Sequence, residues 1–410
     1  MQDLVDSLVV HPSWLHYLGA MLVFGGIVVF GFVLPIAGIT TWVERRVAGR
    51  IQSRIGPNRT GPAGFLQWLA DGIKSLLKED IVPDAADAPL FKLAPYVVMT
   101  GFVAAFVVVP FGGPLIIADL NVGILYITAV TSLVVVGILM AGWSSNNKWS
   151  LLGGIRSAAQ IVSYEIPAGL SIFPIVMLSG ALSMQSIIQA QGAAPWTWFR
   201  FNNPFTFVAF FIFFVAALAE GNRTPFDLPE AESELVMGFA TEYSGMRNLL
   251  FFMAEWGNLY VIGAIVTTLF LGGWQLPHAL DGLPTLVLVP LQFATFFLKS
   301  YFWVFVAVWL RWTLPRIRVD QMMIMCWKYL VPVAFVNLLG TAAWMVVFPH
   351  GAPGVRGVVE QATPQLLCVA AAVLLGLFLR RVRYHLRRAG LKPAEISYNI
   401  LATERIPGLG

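Results

Sequence analysis

The chain has 410 residues, 58% of them apolar and 12% charged, with a formal net charge of +4. Soluble proteins carry about 25% charged residues and need them to stay dispersed. These proportions therefore exclude a soluble enzyme and a disordered chain, and so small a net charge excludes a nucleic-acid binder.

A helix crossing the roughly 30 Å hydrocarbon core needs about 20 apolar residues. Nine stretches are read as spans: 17–39, 91–113, 120–142, 161–182, 204–220, 249–271, 287–310, 329–348 and 364–380. The fifth is short, as a tilted or partly protein-covered helix would be. No basic segment precedes the first, which reads as a retained helix and not a cleaved signal. The expected fold is an all-α integral membrane protein with about nine transmembrane helices and an interfacial amphipathic helix. Residues 1–382 form one multi-span domain, and 383–410 form a basic tail.

Lysine and arginine set the orientation. With the N-terminus outside, 23 of the 26 basic residues fall on the cytoplasmic connections and the C-terminal tail. The expected arrangement is N-out, C-in. The inner loops 40–90 and 221–248 are long and charged, which is where function concentrates.

The first inner loop follows Glu44-Arg45-Arg46. Two Gly-Pro steps between Arg54 and Pro62 prevent a helix there. Phe65, Leu66, Trp68, Leu69, Ile73, Leu76 and Leu77 then recur at helical spacing, opposite Gln67, Asp71, Lys74, Ser75 and Lys78. This is an amphipathic helix of about 14 residues, too short and too charged to span. It is either a surface helix closing a long loop or a gate for a lipid-soluble molecule.

Seven of the 22 carboxylates fall between residues 220 and 255: Glu220, Asp227, Glu230, Glu232, Glu234, Glu242 and Glu255. Glu165 opens the fourth predicted span. Carboxylates this near hydrocarbon need protonation, water or an arginine. A chain of them suits a proton path, while Glu230 to Glu242 taken singly read as a solvated loop. Lys299 lies mid-span and needs a carboxylate, water or neutralisation. Two cysteines, Cys326 and Cys368, exclude a thiolate-ligated Fe–S cluster or a four-cysteine zinc site within this chain and make no disulfide framework. Any redox centre belongs to a partner.

Four blocks carry a family resemblance: Trp42-Val-Glu-Arg-Arg-Val47 with Arg54 to Pro62, Ser157 to Glu165, Ala219 to Glu234, and Arg311 to Met322 with Trp327-Lys328. They resemble the membrane-arm H-subunit family of NADH-quinone oxidoreductase, respiratory complex I, in the family's order from about residue 42 to 330. Pro167 departs locally from the family pattern. No role is carried beyond residue 349, where a ninth helix and basic tail exceed the shorter mitochondrial forms.

The resemblance implies a chain without its own cofactor, forming the membrane floor of a quinone chamber. Hydrophilic Fe–S and quinone-site subunits would bring electrons from NADH through FMN and Fe–S clusters. Antiporter-like membrane subunits would complete the arm, in a bacterial plasma membrane with its lipid. By position, Glu44, Arg45, Arg54 and Asp71 would line the quinone entrance, with Phe252 and Arg311 nearby. Arg223 and Asp227 would shape the loop facing the quinone. Glu165, Glu220, Glu230, Glu232, Glu234, Glu242 and Glu255 would form a proton-coupling funnel, with Lys299 along the polar line. No metal ligand is implied. The alternatives are a related membrane subunit of a hydrogenase or F420-linked dehydrogenase, and a stand-alone ion-coupled transporter.

Overall fold

The computed structural model describes residues 14–228, 232–280, 282–349, 353 and 355–388, and these form helices and connecting turns without a strand. In chain order, α1 (Trp14–Val28) runs through a π turn (Val29–Val33) into α2 (Leu34–Ile51). The short α3 (Gln67–Leu77) follows, then α4 (Ala88–Ala105), α5 (Gly123–Ser144), α6 (Lys148–Ser179) and α7 (Pro204–Glu220). Next come α8 (Gly245–Phe270) and α9 (Thr285–Thr313). α10 (Val319–Ile324) continues through a second π turn (Met325–Leu330) into α11 (Val331–Val347), and α12 (Val355–Arg388) is last. Among the described residues, eight stretches are long and apolar enough to cross a membrane, and α7 is a shorter apolar helix of 17 residues. Together they correspond to the nine predicted spans.

Four spans differ in their bounds from the hydropathy reading, the first because it runs on through α2 to Ile51. α6 begins at Lys148 and not near 161, because Lys148 and Arg156 interrupt the hydropathy without interrupting the helix. Its start is fixed by Asn147, whose side chain accepts from the Trp149 N–H at 2.9 Å as an N-cap. This extra half is packed tightly. A Cβ on Gly153 would stand 2.6 Å from the Gly238 Cα, so only glycine allows that approach. The eighth span likewise starts at Val319, and the ninth runs from Val355 to Arg388.

Pro167 does not break α6. It removes the N–H that would bond to the Ser163 carbonyl, and the buried Cys326 thiol donates to that same carbonyl at 3.1 Å. Glu165 therefore sits within an unbroken helix. The start of α7 is set by Pro204 at its first position and by reciprocal capping between Asn203 and Thr206, the pattern that satisfies the free N–H groups of a first turn.

α4, α5, α6 and α7 pack in sequence, α8 lies against α2, α4 and α9, and α11 lies against α6 and α7. Phe32, in the first π turn, meets Phe111, Tyr260, Phe293 and Phe297 edge to face, with centroids 5.0–6.1 Å apart. α12 rests mainly on two turns, Pro195–Thr197 and Phe199–Asn202.

Candidate functional site

A cluster of charges gathers where α2, α8 and α9 meet the loop after α7. Glu44, near the end of α2, is almost fully buried. It accepts from the Trp312 indole at 3.1 Å and pairs with Arg311 at 3.3 Å. Arg223, whose side chain is only 1% exposed, pairs with Glu255 at 2.9 Å. Its guanidinium lies 4.1 Å from the Trp256 ring centroid, and Arg311 lies 5.5 Å from the same ring. Asp227 pairs with Arg316 at 3.3 Å. Phe252 precedes Glu255 and Trp256 by one turn and so shares their face of α8. Buried charges persist only when paired and hydrogen-bonded, and here every one has a counter-ion on another element.

The loop carrying Arg223 and Asp227 is held by backbone contacts. Gln160, fully buried in α6, donates through Nε2 to the Ala219 and Phe226 carbonyls, each at 2.7 Å, and to Asn222 Oδ1 at 3.1 Å. The Ile317 N–H donates to the Pro225 carbonyl at 3.0 Å. The Tyr164 hydroxyl donates to the Met322 carbonyl at 3.0 Å. Arg223 and Arg316 are thus positioned by α6 and by each other's loops.

From Glu255 the acidic groups continue into the bundle. A cavity of about 50 Å³ is lined by Glu255, Asn258, Asn222, Glu220 and Thr131, well above the roughly 10–15 Å³ that one water needs. A second cavity, of about 540 Å³, is lined by Glu220, Asn258, Thr131, Ser132 and Glu165 with many apolar side chains. Leu125 and Phe173 on its wall are about half exposed, so it opens at the outer surface of the bundle. Glu165 accepts from the Ser132 hydroxyl. Glu220 stands on both walls and joins Glu255 to Glu165 through a polar seam.

Glu234 and Glu242 lie apart from this seam. Glu234 is more than half exposed and pairs with Arg156 at 2.6 Å. Glu242 accepts from Asn147 at 2.5 Å, beside the start of α6. Glu232 begins a four-residue helix, and Glu230 lies outside the described residues. The predicted i,i+4 face of Glu230 and Glu234 therefore lies partly outside the described residues. Lys299 donates to the Leu271 and Gly273 carbonyls at 2.9 and 3.0 Å and lies 4.9 Å from the Trp198 ring. Its long stem reaches toward the C-terminal carbonyls of α8, where a cation is favoured.

The entrance residues gather around α3. Asp71 pairs with Arg45 at 2.5 Å and accepts from Gln67 at 3.0 Å. Trp42 and Arg46 both donate to the Ala63 carbonyl. The Trp68 ring fills the notch left by Gly38, where a Cβ would overlap it. Leu69, Ile73, Leu76 and Leu77 remain exposed, the last at 83%, the apolar stripe of an interfacial helix. Arg54 is exposed in the turn after α2, its N–H donating to the Gly49 carbonyl at 2.7 Å.

Several participants escaped the sequence reading: Trp256, Trp312, Arg316, Gln160, Asn258 and Ser132. Polar residues inside apolar runs were the available signal for Gln160, Asn258 and Ser132. Among the described residues, no three His, Cys, Asp or Glu side chains gather as a metal site.

The family model described as NADH dehydrogenase matches residues 24–342 of this chain. A protein of Anaeromyxobacter dehalogenans, named as the H subunit of NADH-quinone oxidoreductase, is 56% identical over 391 residues, covering 91% of this chain and 92% of that protein. Proteins of the same name from Dehalococcoides mccartyi and Chlorobaculum tepidum are 45% and 50% identical. They cover 91% and 74% of this chain, and 96% and 86% of their own lengths.

Proposed function

The chain belongs to the H-subunit family of NADH-quinone oxidoreductase, and from that premise we propose that it forms the membrane wall of the quinone chamber and couples quinone reduction to proton movement. Its complete active site requires other subunits. These are hydrophilic ones that bring electrons from NADH through FMN and Fe–S clusters, and antiporter-like ones that continue the membrane arm. Their setting is a bacterial plasma membrane, with the N-terminus of this chain outside and its C-terminus in the cytoplasm.

One observation carries this reading. Glu255 belongs to both systems: it pairs with buried Arg223 in the charge cluster and lines the cavity it shares with Glu220. A quinone enters over the exposed stripe of α3, past Arg45 and Asp71, and its head is reduced at a centre held by a partner. Reduction of a quinone to a quinol takes two electrons and two protons. The charge or proton demand that arises acts on Arg223, Asp227, Glu44 and Arg311, whose pairings are mutually dependent at such short range. Any weakening of the Arg223 pair releases Glu255 from its counter-ion, and the seam passes the change through Glu220 to Glu165. Acids so close titrate as a group, so the seam responds collectively. In this reading Glu234, Glu242, Glu232 and Glu230 supply protons from the loop side, and Lys299 fixes the far end of α8.

The test uses the assembled enzyme in sealed vesicles. Glu220→Gln is expected to lower NADH:quinone turnover and acidification together, while reduction of an artificial acceptor at the flavin persists. Equal loss of all three activities, with subunits missing from the purified enzyme, would instead assign Glu220 to assembly.

A further inference from the structure

α12 lies beyond the matched family region, which ends at residue 342. Its 34 residues span about 51 Å at 1.5 Å per residue, more than the roughly 30 Å of hydrocarbon. The excess is visible in its sequence, where an apolar run up to Leu379 gives way to Arg380, Arg381 and Arg383. Gly376, Leu379, Arg380, Arg383 and Tyr384 line one shallow groove. Their offsets of 3, 4, 7 and 8 from Gly376 place all five on a single helix face. Arg381, at an offset of 5, points about 140° away from Gly376 by the 3.6-residue turn. A Cβ on Gly376 would meet nothing within 4 Å, so the groove has an open floor at its apolar end. None of the three arginines forms an ion pair with a described residue.

We propose that this face binds an anionic phospholipid. The phosphate lies between Arg380 and Arg383, the Tyr384 ring sits at headgroup level, and an acyl chain lies along Leu379 and Gly376. Charge complementarity selects the sign of the headgroup, and arginine forks suit phosphate oxygens. Leu375, Leu377 and Phe378 around the groove are more than half exposed, so hydrocarbon surrounds the apolar end and headgroups surround the basic end. That polarity matches a lipid lying along the helix, and an aromatic at the boundary fits an interfacial anchor. An acidic helix of another protein would need its charge at the same depth, and nothing else on this face calls for one.

The experiment embeds the complete enzyme in nanodiscs holding equal amounts of phosphatidylglycerol and phosphatidylcholine, one of the two carrying a photoreactive group near the glycerol. Crosslinks are mapped by peptide mass spectrometry. Phosphatidylglycerol is expected to label residues 376–384 roughly tenfold more than phosphatidylcholine, in keeping with the attraction of two interfacial arginines. Arg380→Gln with Arg383→Gln should remove that preference, while Arg381→Gln should leave it within about twofold. The proposal fails if the two lipids label equally, or if Arg381→Gln is as damaging as the pair, which would mean diffuse basic attraction. It also fails if the segment is unlabelled in the wild-type enzyme or crosslinks to another subunit.

Discussion

Arg223 pairs with Glu255 at 2.9 Å while its guanidinium lies 4.1 Å from the Trp256 ring, one residue further along the same helix. α8 therefore supplies both the counter-ion and the aromatic face for a cation that is withdrawn from solvent. Breaking a buried pair from one side is costly because the other charge remains, commonly about 3–5 kcal/mol. Glu255→Gln should thus lower the stability of the assembled enzyme by about 3 kcal/mol. Adding Arg223→Met should restore at least half of that loss. Thermal unfolding of the purified complex checks the stability arm. Quinone turnover should stay low in the double variant, which separates the coupling role of the pair from its role in the fold.

Arg45 and Asp71 form the equivalent contact at the surface, between α2 and α3. Both are partly exposed, so the pair adds at most about 1 kcal/mol to stability. Asp71→Asn should leave assembly and flavin-site activity intact and raise the quinone KM severalfold. The exchanged pair, Arg45→Asp with Asp71→Arg, should recover part of the loss. An unchanged KM in both variants would remove this contact from the quinone path.

Gly38 offers a steric test of the same doorway. Because a Cβ at this position overlaps the Trp68 ring, Gly38→Ala should tilt α3 away from α2. Quinone kcat/KM should fall while the subunits remain associated. Trp68→Leu in that background should restore kcat/KM by vacating the notch. If Gly38→Ala alone proves silent, docking of α3 does not govern quinone access.

Tyr243 reports on the loop before α8. Its ring stacks on Phe91 at 4.0 Å, and its hydroxyl donates to the Phe91 carbonyl at 3.1 Å. Burial pushes the phenol up to about 12, against smaller opposing effects of Ser144 and Arg247. An acid whose folded value lies above its ordinary value of 10.0 favours the folded state fully below pH 10. That contribution declines as pH rises from 10 toward 12, where only the unfolded chain has released the proton. Tyr243→Phe should lose about 1 kcal/mol with the hydrogen bond and lose this alkaline dependence as well. Tyr243→Ala should lose roughly 3–5 kcal/mol. Unfolding between pH 8 and 12 measures all three proteins.

The spans were legible because hydropathy reports length and burial together, and the amphipathic stripe of α3 was legible from its spacing. The first half of α6 was not. A window-based reading stops at Lys148 and Arg156, whereas the backbone continues, capped by Asn147 and packed glycine to glycine. Candidate charges could be singled out because they are scarce, but their pairings could not. Glu44 meets Trp312 across 268 positions, and no local pattern encodes such a contact. Lys299 shows the converse difficulty, since its depth called for a carboxylate, water or neutralisation, while the chain offers the carbonyls of Leu271 and Gly273 after α8.

The π turn at Val29–Val33 sets the rotational phase of the chain. Such a turn contains one residue more than an α-turn, with its hydrogen bonds running i to i+5. The half beyond it, α2, is anchored by buried Ile36, Ala37, Thr40 and Glu44. The half before it, α1, exposes Leu15, Leu22, Val23 and Ile27. Losing one residue inside the bulge would close it to ordinary i to i+4 bonding with the two halves still nearly in phase, because the bulge holds one residue more than the turn that would replace it, and Glu44 would still face Arg311. The same loss within α2 would turn the carboxylate off its partner. Length variation in the first helix is therefore absorbed at one turn, and the bulge separates a half that tolerates indels from a half whose azimuth is fixed.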